Sequence, residues 1–172
     1  AQIWLGRETA VAPQIDGRPK PVALIVNCAM EWGHGIPKEI VQDVAGNEAA
    51  RMLLGDRLFK SHKPTPQISV DWPDFGTPNL RRSWWVRLSA ALSNIDGDVI
   101  FHCVGGHGRT GTAAAILACL NGWVTRDQCP VKWLRDRYCR KVVESEEQIF
   151  YIEEITGWKV HSQPAKWSGY TG

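Results

Sequence analysis

At 172 residues, the chain is long enough to bury a sizeable core and short enough to form one compact domain over residues 1–172. With 20 Lys and Arg against 18 Asp and Glu, the net charge is +2, so no whole-molecule field calls for a nucleic acid or an anionic membrane. No stretch approaches the ~18 apolar residues of a membrane span and no charged-then-apolar leader is visible, although a start at Ala1-Gln2 leaves a removed segment open.

In chain order the periodicity alternates in the α/β manner. It predicts a central, mostly parallel sheet of about four or five strands flanked by helices. Residues 1–12 read as an edge strand, and Asp16-Gly17 with Pro19 mark a turn. Residues 21–28 are a near-continuous apolar run of the kind buried on both faces. A helix is expected to start within or just after residues 37–41. Residues 47–59 are another, with Ala50, Leu53, Leu54 and Leu58 on one face. Residues 67–70 form a strand that Asp71 ends. Thr77 as N-cap and Pro78 at the first helical position open a helix to about Asn94, striped by Trp84, Trp85, Leu88, Leu92 and Ile95. Residues 98–103 are a short buried strand of β-branched and aromatic residues. A helix over 110–121 follows, stopped by Gly122. Thr125 and Gln128 cap a helix to roughly Arg140, and the last helix runs from Ser145 to Trp158. The tail 159–172 is polar and receives no assignment. Most of the nine tryptophans are expected to anchor the core.

Chemistry concentrates where the strand 98–103 ends. Cys103 is followed six positions later by Arg109, with Gly105, Gly106 and Gly108 between them and Thr110 directly after. The glycines let the backbone curl until successive N–H groups converge on one oxyanion. The following helix adds the positive potential of its N-terminus. Arg109 can grip two phosphate oxygens in a fork that lysine cannot reproduce. The same field is expected to hold Cys103 as a thiolate near neutral pH, its pKa somewhere in the roughly 3.5–7.5 range of such sites. Thr110 is placed to donate a hydroxyl hydrogen bond to the sulfur. Five cysteines with no paired metal spacing favour a reducing, cytoplasmic compartment. His102, Cys103 and His107 lack the spacing and the fourth ligand of a metal site, so neither metal nor cofactor is expected.

The run His102-Cys103-Val104-Gly105-Gly106-His107-Gly108-Arg109-Thr110-Gly111 resembles the signature of the cysteine-dependent protein tyrosine phosphatase superfamily: His-Cys, five residues, Arg, then Ser or Thr. The resemblance implies a phosphatase working through a cysteinyl phosphate, with residues 104–108 cradling the phosphate and His102 supporting the nucleophile. Upstream, Asp71-Trp72-Pro73-Asp74-Phe75-Gly76 is similar to the mobile Trp-Pro-Asp loop of the same superfamily, which implies Asp74 as general acid and Trp72 as its anchor. Asp71 is the competing carboxylate. Downstream, members often carry Gln-Thr-x-x-Gln, whose glutamines place the hydrolytic water. Here Gln148 matches the second glutamine and Glu144 stands where the first would be. Ser145 with Gln148 also reads as a helix-capping box. Some members with a similar strand end use a second cysteine to protect the nucleophile from oxidation, which implies that role for Cys28.

The loop after residues 21–28 is expected to border the site with His34, and Trp32 there either packs the loop or stacks on an aromatic or nucleobase leaving group. His107 is placed to face a second anionic group. The cradle lacks the lysines common in lipid-directed members, and the chain lacks the Asn-Arg-Tyr segment of the large tyrosine-specific enzymes. Phosphoprotein, and phosphotyrosine first with dual specificity open, is the substrate expected of a monomer. Small phosphorylated metabolites, nucleotides or RNA ends stand behind it. A catalytically weak phosphate-binding module is the reading from another class.

Overall fold

In the computed structural model, the described residues are 2–7, 22–29, 41–43 and 65–165. The expected helix at residues 47–59, the turn at 16–19 and the part of the first strand beyond Arg7 lie outside them. Five parallel strands form one sheet: β1 (Gln2–Arg7), β2 (Val22–Asn27), β3 (Val41–Asp43), β4 (Thr65–Ser69) and β5 (Asp98–Cys103), in the order β1-β5-β2-β4-β3. The uninterrupted apolar runs are the central strands: every residue of β2 and of β5 is buried. That is the pattern of parallel strands covered on both faces. β1 shows a mixed pattern and lies at an edge. Val41–Asp43 are strand β3, where a helix was expected to start within or just after residues 37–41, and Val41 pairs with Thr65 of β4. A β-branched residue beside a partner strand takes the ladder.

The described helices are α1 (Arg82–Asn94), α2 (Gly108–Leu120), α3 (Pro130–Arg137) and α4 (Glu146–Thr156). α2 is the central one, buried from Gly108 to Cys119 and touching α1, α3, α4, β1 and β5. Its small side chains, Ala113, Ala114, Ala115 and Ala118, are what let so many neighbours approach. It ends as expected: Gly122 is left-handed at φ 68°, and Trp123 N–H and Gly122 N–H return to the carbonyls of Ala118 and Cys119.

Two helix starts differ from the sequence expectation. Thr77 and Pro78 are not helical; α1 begins five residues after Thr77, behind Arg81. Leu80 instead presents its carbonyl to the Tyr151 hydroxyl at 2.8 Å, and Arg81, just before α1, is extended. Thr125 and Gln128 do exchange hydrogen bonds, but they close a turn. The residue before a proline avoids the helical region: Cys129 sits at ψ 118° and α3 starts at Pro130, ending at Arg137 rather than Arg140. Most of the described tryptophans anchor the core as expected, Trp84 and Trp133 packing against it from partly buried positions. Of the seven described, Trp72, Trp85 and Trp158 are buried, while Trp4 and Trp123 are exposed. Part of the unassigned tail has a place: Arg135 bonds Ser162 and Gln163, and Ala165 N–H bonds the Val143 carbonyl. Among the described residues no helix is long and apolar enough to cross a membrane.

Candidate active site

The carboxyl ends of parallel strands are where an α/β sheet leaves room for a ligand, and β5 delivers Cys103 there. Between it and α2 the loop is held from both sides. Gly106 has φ 76°, and a Cβ there would stand 2.8 Å from the backbone of Gly6 at the end of β1. Only glycine fits that contact. On the other side the Tyr138 hydroxyl donates to the Gly106 carbonyl at 2.7 Å. With its carbonyl held outward, Gly106 turns its N–H to Cys103 Sγ at 3.2 Å. Cys103 is buried, while Val104 projects from the loop, 44% exposed.

Arg109 stands one residue into α2 and is 3% exposed. Nη1 donates to the Trp72 carbonyl at 3.0 Å, and Nη2 pairs with Asp74 Oδ1 at 3.3 Å. Its Nε is buried with no partner among the described residues. One guanidinium therefore joins the glycine loop to the segment 71–78. That segment is pinned by an aromatic cluster: Trp72 is fully buried, edge-on to Trp85 and to Tyr151 at centroid distances of 6.2 and 6.3 Å. Trp72 Nε1 closes the turn on the Gly76 carbonyl at 2.7 Å, and Gly76 N–H returns to Pro73. Asp74, not Asp71, meets the arginine.

Two residues of the α4 start hold the same segment. Ser145 caps α4 through Gln148 N–H, and its hydroxyl donates to the Phe75 carbonyl at 2.5 Å. Gln148 is fully buried; its Oε1 accepts Glu144 N–H at 2.8 Å and its Nε2 reaches the Gly76 carbonyl at 3.4 Å. The capping box is thus incomplete, because the amide points to Glu144 and the 71–78 segment instead of back to Ser145.

Other expected residues fall around this centre. His102 is fully buried, and burial holds it neutral, its pKa pushed down to about 4 against the upward pull of the Cys103 backbone. His107 is half-buried, its Nδ1 3.3 Å from Cys139 Sγ; burial, then the Lys141 charge, lowers its pKa. Cys28 follows Asn27, which is in register with His102, and its N–H donates to the His102 carbonyl at 2.8 Å. Burial first, then the nearby Cys103, pushes its thiol pKa up. Thr110 differs from expectation: its hydroxyl is buried without a partner among the described residues, and the sulfur takes the Gly106 N–H instead. Trp32 and His34 lie outside the described residues. Tyr138 and Cys139, which brace the loop, escaped the sequence reading because contacts 32 residues apart leave no local pattern.

The family model described as the Swiss Army Knife protein, DSP-PTPase phosphatase domain, matches residues 59–150. The chain is 46% identical over 95 residues to the uncharacterized protein MJ0215 of Methanocaldococcus jannaschii, covering 55% of this chain and 57% of that one. It thus spans little more than half of that relative's length. Among solved structures, Tk-PTP in its active form superposes with a TM-score of 0.57 at 16% identity, over 91% of this chain and 92% of the other. PTPMT1 in complex with PI(5)P follows with a TM-score of 0.54 at 13% identity, over 91% and 90%. At such identities these two show the likeness of fold.

Proposed function

Because the chain belongs to the DSP-PTPase phosphatase family, we propose that it hydrolyses phosphate monoesters, protein phosphotyrosine first, through a cysteinyl-phosphate intermediate. The observation that carries this reading is Arg109 bridging Trp72 and Asp74 beside a glycine loop whose N–H already points at Cys103 Sγ. Cys103 attacks phosphorus. The equatorial oxygens lie among the loop N–H groups and Arg109, whose buried Nε–H has a donor to give. Asp74 protonates the departing ester oxygen, and water then releases the phosphate from sulfur.

Two apolar side chains favour an aryl ester. Phe75 and Val104, 46% and 44% exposed, project from the two loops and suit a ring better than a headgroup dense in charge. Small phosphorylated metabolites, nucleotides and RNA ends are the second reading. A phosphate-binding module without turnover is the third.

The deciding experiment follows para-nitrophenyl phosphate with the wild type and Cys103→Ser. Turnover in the first and none in the folded second is expected, since a serine hydroxyl is not ionised at neutral pH. Turnover by Cys103→Ser would end the thiolate mechanism. A Cys103→Ser trap with bound ligand identified by mass spectrometry then separates phosphoprotein from small substrates.

Cys28 belongs to the same proposal as a guard of the nucleophile. Adjacent parallel strands run about 4.8 Å apart, inside the roughly 4.4–6.8 Å Cα separation a disulfide spans. A sulfenic acid on Cys103 would condense with the Cys28 thiol, releasing water. Peroxide followed by thiol should restore activity in the wild type and far less in Cys28→Ala. Equal recovery, with no linked 28–103 peptide, would leave Cys28 as core packing.

A further inference from the structure

The cradle is flanked by opposite charges. On one side stand Asp71 and Asp74 of the 71–78 segment, with Glu144, Glu146 and Glu147 around the start of α4 that holds it. On the other side Gly106 is gripped by β1 and by the residues that follow α3, and both bring cations. A Cβ on Gly106 would stand 2.9 Å from the Arg7 backbone nitrogen at the end of β1. Tyr138 holds the Gly106 carbonyl, Cys139 meets His107, and the Lys141 charge acts on that imidazole. An anion that extends beyond the phosphate is therefore drawn toward β1 and α3 and pushed away from α4.

Arg7 is the cation whose place the sheet defines. It is in register with Cys103, and adjacent parallel strands run about 4.8 Å apart, so its backbone stands one strand away from the nucleophile. Side chains alternate along a strand. Arg7 therefore leaves β1 on the face of Ile3 and Leu5, which pack against the core that α2 covers, and α2 begins at the cradle. Arg7 is exposed and makes no hydrogen bond or ion pair among the described residues. A guanidinium without a carboxylate beside an anion-binding loop adds to the attraction for an anion rather than to the fold. Val104 and Gly105, the first two residues of the cradle, are also exposed, so the mouth is open to a substrate larger than the phosphate.

We propose that Arg7 is a specificity-determining residue that binds a second anionic group of the substrate, and that the preferred substrates are phosphotyrosine segments with an acidic residue beside the phosphotyrosine. This rests on the phosphatase reading above and names its substrate more narrowly. The ring enters between Phe75 and Val104, the phosphate lies in the cradle, and the segment stays outside in extended form. Residues of an extended chain are spaced about 3.3–3.6 Å apart. A carboxylate one or two positions from the phosphotyrosine thus falls within the span from one strand to the next and the reach of an arginine. Arginine offers that carboxylate two parallel N–H bonds. A bare aryl phosphate leaves Arg7 in water.

The test compares two matched phosphotyrosine peptides, one flanked by aspartates and one by asparagines, on wild type, Arg7→Gln, Arg7→Lys and Arg7→Glu. Turnover of para-nitrophenyl phosphate by the same variant serves as the reference, so that damage to the cradle itself cancels. Wild type should prefer the acidic peptide through KM, with kcat alike for both. Arg7→Gln should lose up to about 5-fold of that preference, the most an exposed ion pair gives. Arg7→Lys should keep part of it, and Arg7→Glu should reverse it. The preference should shrink as salt rises from about 0.01 to about 0.15 M, where the screening length falls from about 30 to about 8 Å; a packing change would not follow salt. Equal kcat/KM for the two peptides in the wild type, or a preference unchanged in Arg7→Gln and Arg7→Glu, would overturn the role of Arg7. So would a loss in Arg7→Gln confined to small bisphosphorylated substrates, with the peptides untouched. Failure of the wild type to hydrolyse para-nitrophenyl phosphate and either peptide would instead remove the phosphatase reading itself.

Discussion

The two loops that meet at Arg109 are built on opposite principles. The glycine loop is clamped by backbone: Gly106 is wedged against Gly6 and Arg7, Tyr138 holds its carbonyl, and Cys103 and Arg109 are almost wholly buried. The 71–78 segment is anchored at Trp72 and lightly held beyond it. Asp74 is 54% exposed, Phe75 sits at φ 58°, and its fixings are Arg109, Ser145 and a long contact from Gln148. A site that binds charge gains from donors that need no reorganisation. A segment that delivers a proton and then releases product needs contacts that can be broken. The energetics agree: an ion pair with one half-exposed partner is screened and worth little, so closure is cheap to undo.

Arg109→Lys attacks both loops at once and, beyond loss of Cys103 itself, should have the largest effect. One ammonium cannot bond the Trp72 carbonyl, Asp74 and two phosphate oxygens together. Turnover of para-nitrophenyl phosphate should be severely impaired; wild-type kcat/KM would remove the cradle argument. Asp74→Ala attacks the 71–78 segment alone. Aryl phosphates with poor leaving groups should slow by roughly 10²–10⁴, activated ones less, and the basic limb of the pH profile should flatten, because the acid must be protonated to act. If Asp71→Ala shows that pattern and Asp74→Ala does not, the acid has been misassigned.

How far the site could be read from the chain follows the same division. Cys103 to Arg109 is a contiguous run whose glycine-built curl was legible in the sequence, and the burial of β2 and β5 follows from unbroken apolar sequence. Asp74 was legible as a short local pattern. The residues that position these groups were not: Tyr138, Cys139 and Arg135 act across tertiary contacts that neither periodicity nor spacing encodes. The helix starts at Thr77 and Thr125 failed for a related reason. Local capping rules are worth about 1 kcal/mol, and a tertiary hydrogen bond at Leu80 or a proline at 130 outweighs them. The Thr110 hydroxyl was assigned to the sulfur from its neighbourhood alone, yet the curl of the loop gives that place to Gly106 N–H.

The smallest effects should sharpen the contrast best, because they leave the chemistry intact. Tyr138→Phe removes the single hydroxyl that braces Gly106 from outside. The ring stays, so the loss is one hydrogen bond, about 1 kcal/mol of stability. The Gly106 Cα keeps its close approach to Gly6 of β1, so the loop should loosen without opening. Phosphate affinity should therefore drop a few-fold, read as a higher KM and a weaker Ki for inorganic phosphate, with kcat nearly unchanged. Ser145→Gly is the counterpart on the 71–78 segment: glycine is tolerated at the α4 cap at a cost of about a few tenths of a kcal/mol but loses the hydroxyl that reaches the Phe75 carbonyl. Its cost should fall on kcat for poor leaving groups, with phosphate inhibition unchanged, since closure delivers the proton and the glycine loop binds the anion. If both variants moved KM and kcat together, the two loops would be one mechanical unit, and the division between a fixed cradle and a movable acid would fail.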